Sequence, residues 1–467
     1  MLQLEEIIDA TGAQIISRGE ETFTALSIDS RTIRPGELFL ALKGERFDGH
    51  DFFAQALKTG GGAIVSRLPG PDAFVDDGGR GRWQGKTVLL VADTLKALHD
   101  MARSARTKYR GPVIGVIGSN GKTTTKELIA SILGRGMKVL KTSGNLNNAI
   151  GMPLCMTGLE ENTGAMVLEM GTNRPGDVDE LCRIASPDTA VITNIGYEHL
   201  EGFGSIEGVR RAELEILPYV KRLIVNADDA FLMEGVRASY SGELVTYGVE
   251  SADAAVKARN LSISLEGSAF TLCFDGVTVD ICSPLPGQFN VLNCLAAAAT
   301  ARSLGSAADQ IREGIGSFRG VNMRFVVKRQ GSVTFISDVY NANPSSMRSS
   351  LAEFARFISA GDQHRSRPYR HAYAVLGDMF ELGEQSESEH RRLGEWLSGL
   401  PLDLFIGVGA RMQAAVSGYS GKAVALASPE EAASELRKCA GSGDIVFIKG
   451  SRGMRMERVL TELGVRD

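Results

Sequence analysis

The sequence predicts an α/β protein of three domains, with a parallel-sheet central domain built around a P-loop and a Rossmann-like domain at the C-terminus. Three observations carry this. The chain has 467 residues, too many for one hydrophobic core and enough for about three domains. From Val113 onward, near-continuous apolar runs alternate with amphipathic stretches, the pattern of a parallel sheet covered on both faces. The run VIGVIGSNGKTTTKE at 113–127 then passes straight from a buried strand into a helix across a Gly-rich turn.

Within residues 1–92, the runs FTALSID, GELFLAL and GAIVSR read as short strands between Gly, Pro and Asp turn signals. PGPDAFVDDGGRGRWQGK is polar and Gly-rich and reads as a loop; TVLLVAD reads as a strand. The amphipathic stretch TLKALHDMARSARTKY opens the central block, 93–318. That block continues with VIGVIGS, a helix from Thr123, KVLKTS, AMVLEMG, a helix near Asp177–Ala185, TAVITNIG and RLIVNAD. Alternating strands occupy 240–285, and NVLNCLAAAATARSLG reads as a helix. The third block, 319–467, holds VTFISDVY, a helix at SSMRSSLAEFARFI, AYAVLGD, DLFIGVG and DIVFIKGS, again an open parallel sheet. No solenoid repeat or low-complexity tail is present.

Composition excludes several classes. Hydrophobic residues make up 43% and charged residues 23%, ordinary for a globular chain, and the net charge of −5 gives no basic field for nucleic acid. The six cysteines form no CxxC pair and read as buried, reduced core residues. No basic-then-apolar leader and no apolar run of ~18 residues is seen, so a cytoplasmic protein without a membrane span is expected.

The Gly-rich turn has the chemistry of a phosphate cradle. Gly118 and Gly121 let the backbone approach phosphate closely, with Ser119 and Asn120 between them and helix N–H groups as donors. Lys122 supplies a point charge for the β/γ-phosphates, Thr123 a hydroxyl for Mg²⁺, and Thr124 continues the first turn. The ordinary GxxxxGK[ST] pattern would need Gly where Val116 stands, so GSNGKT is a compact variant. Glu169 ends the strand VLEMG at the carboxyl edge of the sheet, where doubly wound folds bind ligands. His199 follows another strand of that sheet. Thr123, Glu169 and His199 are the candidate metal set, beside waters and phosphate oxygens.

GSNGKTTTKE, TSGNLNNAIGMPL, LEMGTNRPGD, TNIGYEHLEGFGS, DVYNANPSSM and LGDMFELGEQSESEH occur in this order across nearly the whole chain. Together they resemble the Mur ligase family. DVYNANPSSM and GDMFELG point within it to the member that joins D-alanyl-D-alanine to UDP-N-acetylmuramoyl-tripeptide. The resemblance implies activation of a carboxylate by ATP as an acyl phosphate, which an amine then displaces, with ATP and Mg²⁺ bound and Lys122, Glu169 and His199 as catalytic residues; Glu213 is a further catalytic candidate at a position that departs from the family. Bringing a carboxylate to a triphosphate requires positive charge between them; a side-chain nucleophile is not needed. The resemblance further implies Ser30 and Arg31 as contacts to the uridine diphosphate, Asn147 as a substrate contact, and Asn290 and Asn293 near adenine. It places Arg324 at the phosphates, Asp338 at the ribose, and Asn341, Asn343 and Ser346 in a loop closing over the substrates. A monomer is expected. Read without the resemblance, Arg31 is a solvated charge and NVLNCLAAAA a well-packed small-residue helix.

Two departures stand out. Phe289 replaces the family's usual histidine, so no polar contact carries over there. The family also usually carries an Ala-Lys dipeptide after His199, whose lysine is carbamylated and helps hold a second Mg²⁺; Glu213 stands in that position. Glutamate brings the same anionic group on a stem roughly 3–4 Å shorter. It is either a stand-in for the carbamyl group or one more acidic residue on an amphipathic helix face. The alternative activities are addition of the third amino acid of the same precursor, folylpolyglutamate synthesis, and a regulatory P-loop ATPase. The DSR…PGELFLALKG start argues against the folate enzyme, LGDMFELG stands where a third-residue ligase would carry a DNPR- or DNPA-like signature, and no clear DxxG follows the cradle.

Overall fold

The computed structural model describes residues 1–68, 83, 85–359 and 369–465. The expected loop at 69–86 therefore lies mostly outside the described residues. By internal contacts the chain forms two compact units, each built from segments distant in sequence. The first comprises Met1–Gly115, Met137–Gly171 and Asp177–Thr189; the second comprises Val116–Gly136, Thr172–Gly176 and Ala190–Asp467.

The first unit contains a five-stranded sheet in the order Gln14–Ser17, Thr87–Leu90, Gly62–Val65, Leu38–Leu40, Leu26–Ser27. Its first pair is antiparallel and the rest are parallel. Alternation along GELFLAL divides its side chains between two cores. Leu38 and Leu40 join Leu4, Ile7 and Phe23 on one face, while Phe39 and Ala41 join Phe53 and Leu57 on the other. The helix Thr94–Lys108 begins where Asp93 accepts the N–H groups of Leu95 and Lys96, an N-cap. Expected to open the central block, it lays Ala97, Leu98 and Met101 into the core of this first sheet instead. Its apolar stripe matches the face that Leu38 and Leu40 leave uncovered.

A nine-stranded sheet runs in the order Val277–Ser283, Gly267–Phe274, Val256–Ser264, Glu243–Gly248, Arg222–Asn226, Thr189–Ile192, Val113–Ile117, Thr163–Glu169, Lys138–Lys141. The strands read from 113–117, 163–169, 189–192 and 222–226 are nearly all fully buried, as their unbroken apolar runs require. The first three strands of that order form an antiparallel meander with alternating burial.

The C-terminal part of the second unit is a six-stranded sheet ordered Val326–Gln330, Val333–Asp338, Ile445–Lys449, Ala372–Gly377, Leu404–Val408, Ala423–Leu426. Its first two strands form a hairpin and the others are parallel. Ile336 and Phe447 face a core with Phe354, stacked at 5.3 Å on Phe447; Phe335 and Val446 face a second core with Leu436 and Leu460. The helix Pro344–Ser359 starts at NANPSSM for local reasons. Asn343 Oδ1 accepts from the Ser346 N–H (2.7 Å), Ser346 Oγ accepts from the Asn343 N–H (3.0 Å), and Pro344 opens the first turn.

No helix among the described residues is long and apolar enough to cross a membrane. None of the six cysteines is in a disulfide. Cys182 and Cys294 are buried as expected, but Cys282 is exposed because it alternates outward on an edge strand.

Candidate active site

The strand Val113–Ile117 delivers the chain to the cradle, and the helix Lys122–Leu133 carries it away. Both cradle glycines are demanded by space as well as by backbone. Gly118 has φ 112°, and a Cβ there would lie 2.3 Å from Thr193 Oγ1; Gly121 has φ 85°, and its Cβ would lie 2.4 Å from Asn293 Oδ1. Gly121→Ala is expected to weaken ATP binding at least tenfold, because the helix start must move off Asn293; a calorimetric titration with ATP measures it. Unchanged affinity would mean that the first turn is not the phosphate site.

The N–H groups before the helix are occupied within the protein. Gly118 donates to Glu213 Oε2 (2.9 Å), Ser119 to the Asn194 carbonyl (2.9 Å) and Asn120 to Asn194 Oδ1 (3.0 Å). These bonds shape the turn and leave anion binding to the helix start from Gly121 onward, which has no side-chain cap. Lys122 Nζ donates to the Gly118 carbonyl and to the Ser119 carbonyl (3.4 Å), with Glu198 Oε2 at 3.6 Å.

Glu213 and Glu198 are both buried beside the cradle, and Oε1 of each is buried without a hydrogen-bond partner. At 0% exposure Glu213 cannot be a solvated residue of an amphipathic face, so that reading is corrected. Burial, with Glu198 beside it, pushes the Glu213 carboxyl up to about 8, against the pull of Lys122 and the Gly118 N–H. Burial likewise raises Glu198, opposed by Lys122.

Around the cradle, the second unit gathers residues far apart in sequence. Arg324 donates to Thr123 Oγ1 (2.9 Å), lies 4.0 Å over the Tyr340 ring and keeps a buried Nε with no partner. Its neighbours Met323 and Phe325 are both left-handed, at φ 66° and 50°. Asn343 Nδ2 donates to Asn120 Oδ1 (3.2 Å). Asn293 accepts from Thr125 (3.2 Å) and donates to Asn290 (3.2 Å), which donates to the Pro286 carbonyl (2.8 Å). Of the two asparagines expected near adenine, Asn293 thus braces the long helix Gln288–Ser303 against the cradle helix, and Asn290 supports Asn293 from its own helix. Phe289 packs edge-on against Phe325 at 5.1 Å. Asp338, expected at the ribose, accepts from Lys449 (2.5 Å) and Ser350 (2.6 Å), and Lys449 also holds the Asn341 carbonyl (3.1 Å). His199 lies at the start of a short turn at φ 45°, with Nδ1 2.8 Å from Glu381 Oε2.

In the first unit, Glu169 at the end of its strand accepts from Asn147 Nδ2 (2.9 Å), so these two expected residues form one pair. Ser30 lies on the loop after Leu26–Ser27, and Arg31 is exposed and forked onto Asp29 (2.6 Å), holding that carboxyl at about 2.

Residues 22–106 match the catalytic domain of the Mur ligase family, 116–301 the Mur ligase middle domain and 323–452 the Mur ligase glutamate ligase domain. The UDP-N-acetylmuramoyl-tripeptide–D-alanyl-D-alanine ligase of Bacillus subtilis is 35% identical over 456 residues, spanning 94% of this chain and 92% of that protein. The chain belongs to the Mur ligase family. Its fold is similar to that of MurF from Acinetobacter baumannii, with TM-score 0.86 and 32% identity over 99% of this chain and 98% of that one. It is also similar to MurF ligase from Thermotoga maritima in complex with ADP, with TM-score 0.79 and 31% identity over 94% and 96% of the two chains.

For a Mur ligase, the donors suit a hard cation. Thr123, in the second unit, offers at the cradle an oxygen of the type Mg²⁺ requires, and phosphate oxygens and water are the ligands such an ion takes besides. Among the described residues no three His, Cys, Asp or Glu side chains gather as a ready-made cage. Sequence reading missed Glu198, Asn194, Lys449 and Glu381. Only Glu198, beside His199, carried a positional signal.

The raised Glu213 carboxyl sets a sign for stability. Its folded-state value of about 8 lies above the ordinary 4.5, so the native state holds the proton more tightly and stability falls as pH rises from about 4.5 to 8. Glu213→Gln, whose amide oxygen still accepts from Gly118, is expected to flatten this fall and raise the melting temperature at pH 8 by several degrees. Parallel melting curves of the two proteins between pH 5 and 8 would contradict it.

Proposed function

We propose that this Mur ligase adds D-alanyl-D-alanine to UDP-N-acetylmuramoyl-tripeptide, with cleavage of ATP to ADP and phosphate, as a cytoplasmic monomer in peptidoglycan precursor synthesis. The observation that supports it most is the convergence of Lys122, Thr123 and Arg324 on one cradle, which supplies two cations beside a hydroxyl where a γ-phosphate meets a second anion. Resemblance of DVYNANPSSM and GDMFELG, and the printed activity of the Bacillus subtilis relative, support the choice of substrate.

In this reading the tripeptide carboxylate attacks the γ-phosphorus, ADP leaves, and the dipeptide amine displaces phosphate from the acyl phosphate. Lys122 moves from the Gly118 and Ser119 carbonyls to the transferring phosphoryl group. Arg324 turns from Thr123 to the phosphates, and Thr123, Glu169 and His199 would hold Mg²⁺. When bound, Mg²⁺ supplies charge neutralisation at the β- and γ-oxygens. Gly121 to Thr124 donate to phosphate oxygens, and Asn343 closes the C-terminal loop onto Asn120. Ser30 and Arg31 contact the uridine diphosphate.

The test is phosphate release in the presence of ATP and UDP-N-acetylmuramoyl-tripeptide, comparing D-alanyl-D-alanine with single amino acids. Release should require both the precursor and the dipeptide. Release with ATP alone would favour a regulatory ATPase, and release with a single amino acid a different ligase.

A further inference from the structure

We propose that Glu381 is a positioning residue for this reaction. Its carboxylate holds His199 as the Nδ1-protonated tautomer and leaves Nε2 as the ring's only lone-pair nitrogen. The proposal rests on the reading that His199 stands at the reaction centre.

The geometry carries it. His199 Nδ1 and Glu381 Oε2 are 2.8 Å apart. At that separation one of the two atoms must donate; a solvent-exposed carboxylate at neutral pH only accepts, so Nδ1 carries the proton. Both residues adopt left-handed backbone, φ 45° at His199 and 62° at Glu381, a conformation rare outside glycine. Two such residues facing each other mean that the surroundings hold the pair in place.

Those surroundings come from two directions. The Glu381 carbonyl accepts from the Glu201 N–H (3.2 Å), and Gln385 Nε2 donates to the Gly204 carbonyl (3.2 Å). Leu200, next to His199, is buried in the same apolar cluster as Met379 and Leu382. Behind it, the loop 378–385 is tied to the C-terminal sheet. Met379 N–H donates to His390 Nε2 (3.0 Å), Phe380 N–H to Ser451 Oγ (2.9 Å), and Arg411 to the Met379 carbonyl (3.2 Å). The imidazole is thus set by the GDMFELG loop, not by its own strand. A ring fixed through one nitrogen presents the other in a defined direction, as carboxylate–histidine pairs do at reactive centres.

The test uses full-length protein labelled with ¹⁵N-histidine, in which long-range proton–nitrogen spectra at pH 8 report the tautomer of each of six histidines. His199 is assigned by its loss in His199→Gln. Wild type should show the Nδ1–H form. Glu381→Ala should shift the ring to the Nε2–H form that imidazole prefers in water, and lower kcat roughly tenfold with little change in KM for ATP. Glu381→Gln, whose amide oxygen still accepts, should keep both the tautomer and most of the turnover. An Nε2–H ring in wild type, an unchanged ring in Glu381→Ala, or equal turnover loss in the Ala and Gln variants would overturn the proposal. If wild type ligates nothing, the functional reading fails by itself, and the spectra still decide the role of Glu381.

Discussion

Lys122→Ala is expected to lower ligation turnover by roughly 10²–10³-fold, the scale of losing one charged donor at a developing anion. The loss should appear at formation of the acyl phosphate, trapped with hydroxylamine, because that step brings two anions together. Binding of the UDP-precursor should stay nearly intact, since Ser30 and Arg31 belong to the other compact unit. The substitution also removes the cation 3.6 Å from the buried Glu198, so a melting curve should accompany the kinetics. A folded variant that loses precursor affinity as well as turnover would contradict the role given to Lys122.

Glu213→Ala should have the second-largest effect. It deletes the acceptor of the Gly118 N–H, leaving a buried donor unsatisfied, and removes a carboxyl from the surroundings of Lys122. A fall of roughly 10²-fold in kcat and an altered Mg²⁺ dependence are expected, on the scale of losing one preorganised polar group beside the transferring phosphate. Glutamate needs no carbamylation, so bicarbonate should leave the wild-type rate unchanged. Strong stimulation by bicarbonate, or Glu213→Ala with wild-type kcat and Mg²⁺ dependence, would remove Glu213 from the mechanism.

The parts of this molecule legible in its sequence were those fixed by neighbours along the chain. VIGVIGS, AMVLEMG and TAVITNIG are strands because runs buried on both faces must be apolar throughout, and NANPSSM starts a helix because Asn, Pro and Ser make a cap. What escaped depends on distance. The packing of Thr94–Lys108 on the first sheet could not be read from its own periodicity, which any apolar face would satisfy. The brace from Asn293 to the cradle spans 168 residues. Glu198 is not singled out in the sequence, and Glu213 is open there between a stand-in for the carbamyl group and an ordinary acid, because only the tertiary fold decides which carboxylates turn inward. The same holds for Glu381, whose carboxylate meets His199 across 182 positions of chain, their difference in number.

That distance governs the order in which the enzyme can be built. At a synthesis rate of roughly 5–20 residues per second, the helix Lys122–Leu133 leaves the ribosome on the order of ten to thirty seconds before Asn293 follows. Arg324 comes later still, 201 positions after Thr123. During that interval Leu128, Ile129 and Ile132, fully buried in the finished protein, lack the long helix that packs beside them. The nascent chain therefore passes through a long window in which its nucleotide-binding segment is made but uncovered, and chaperone demand during translation should concentrate there.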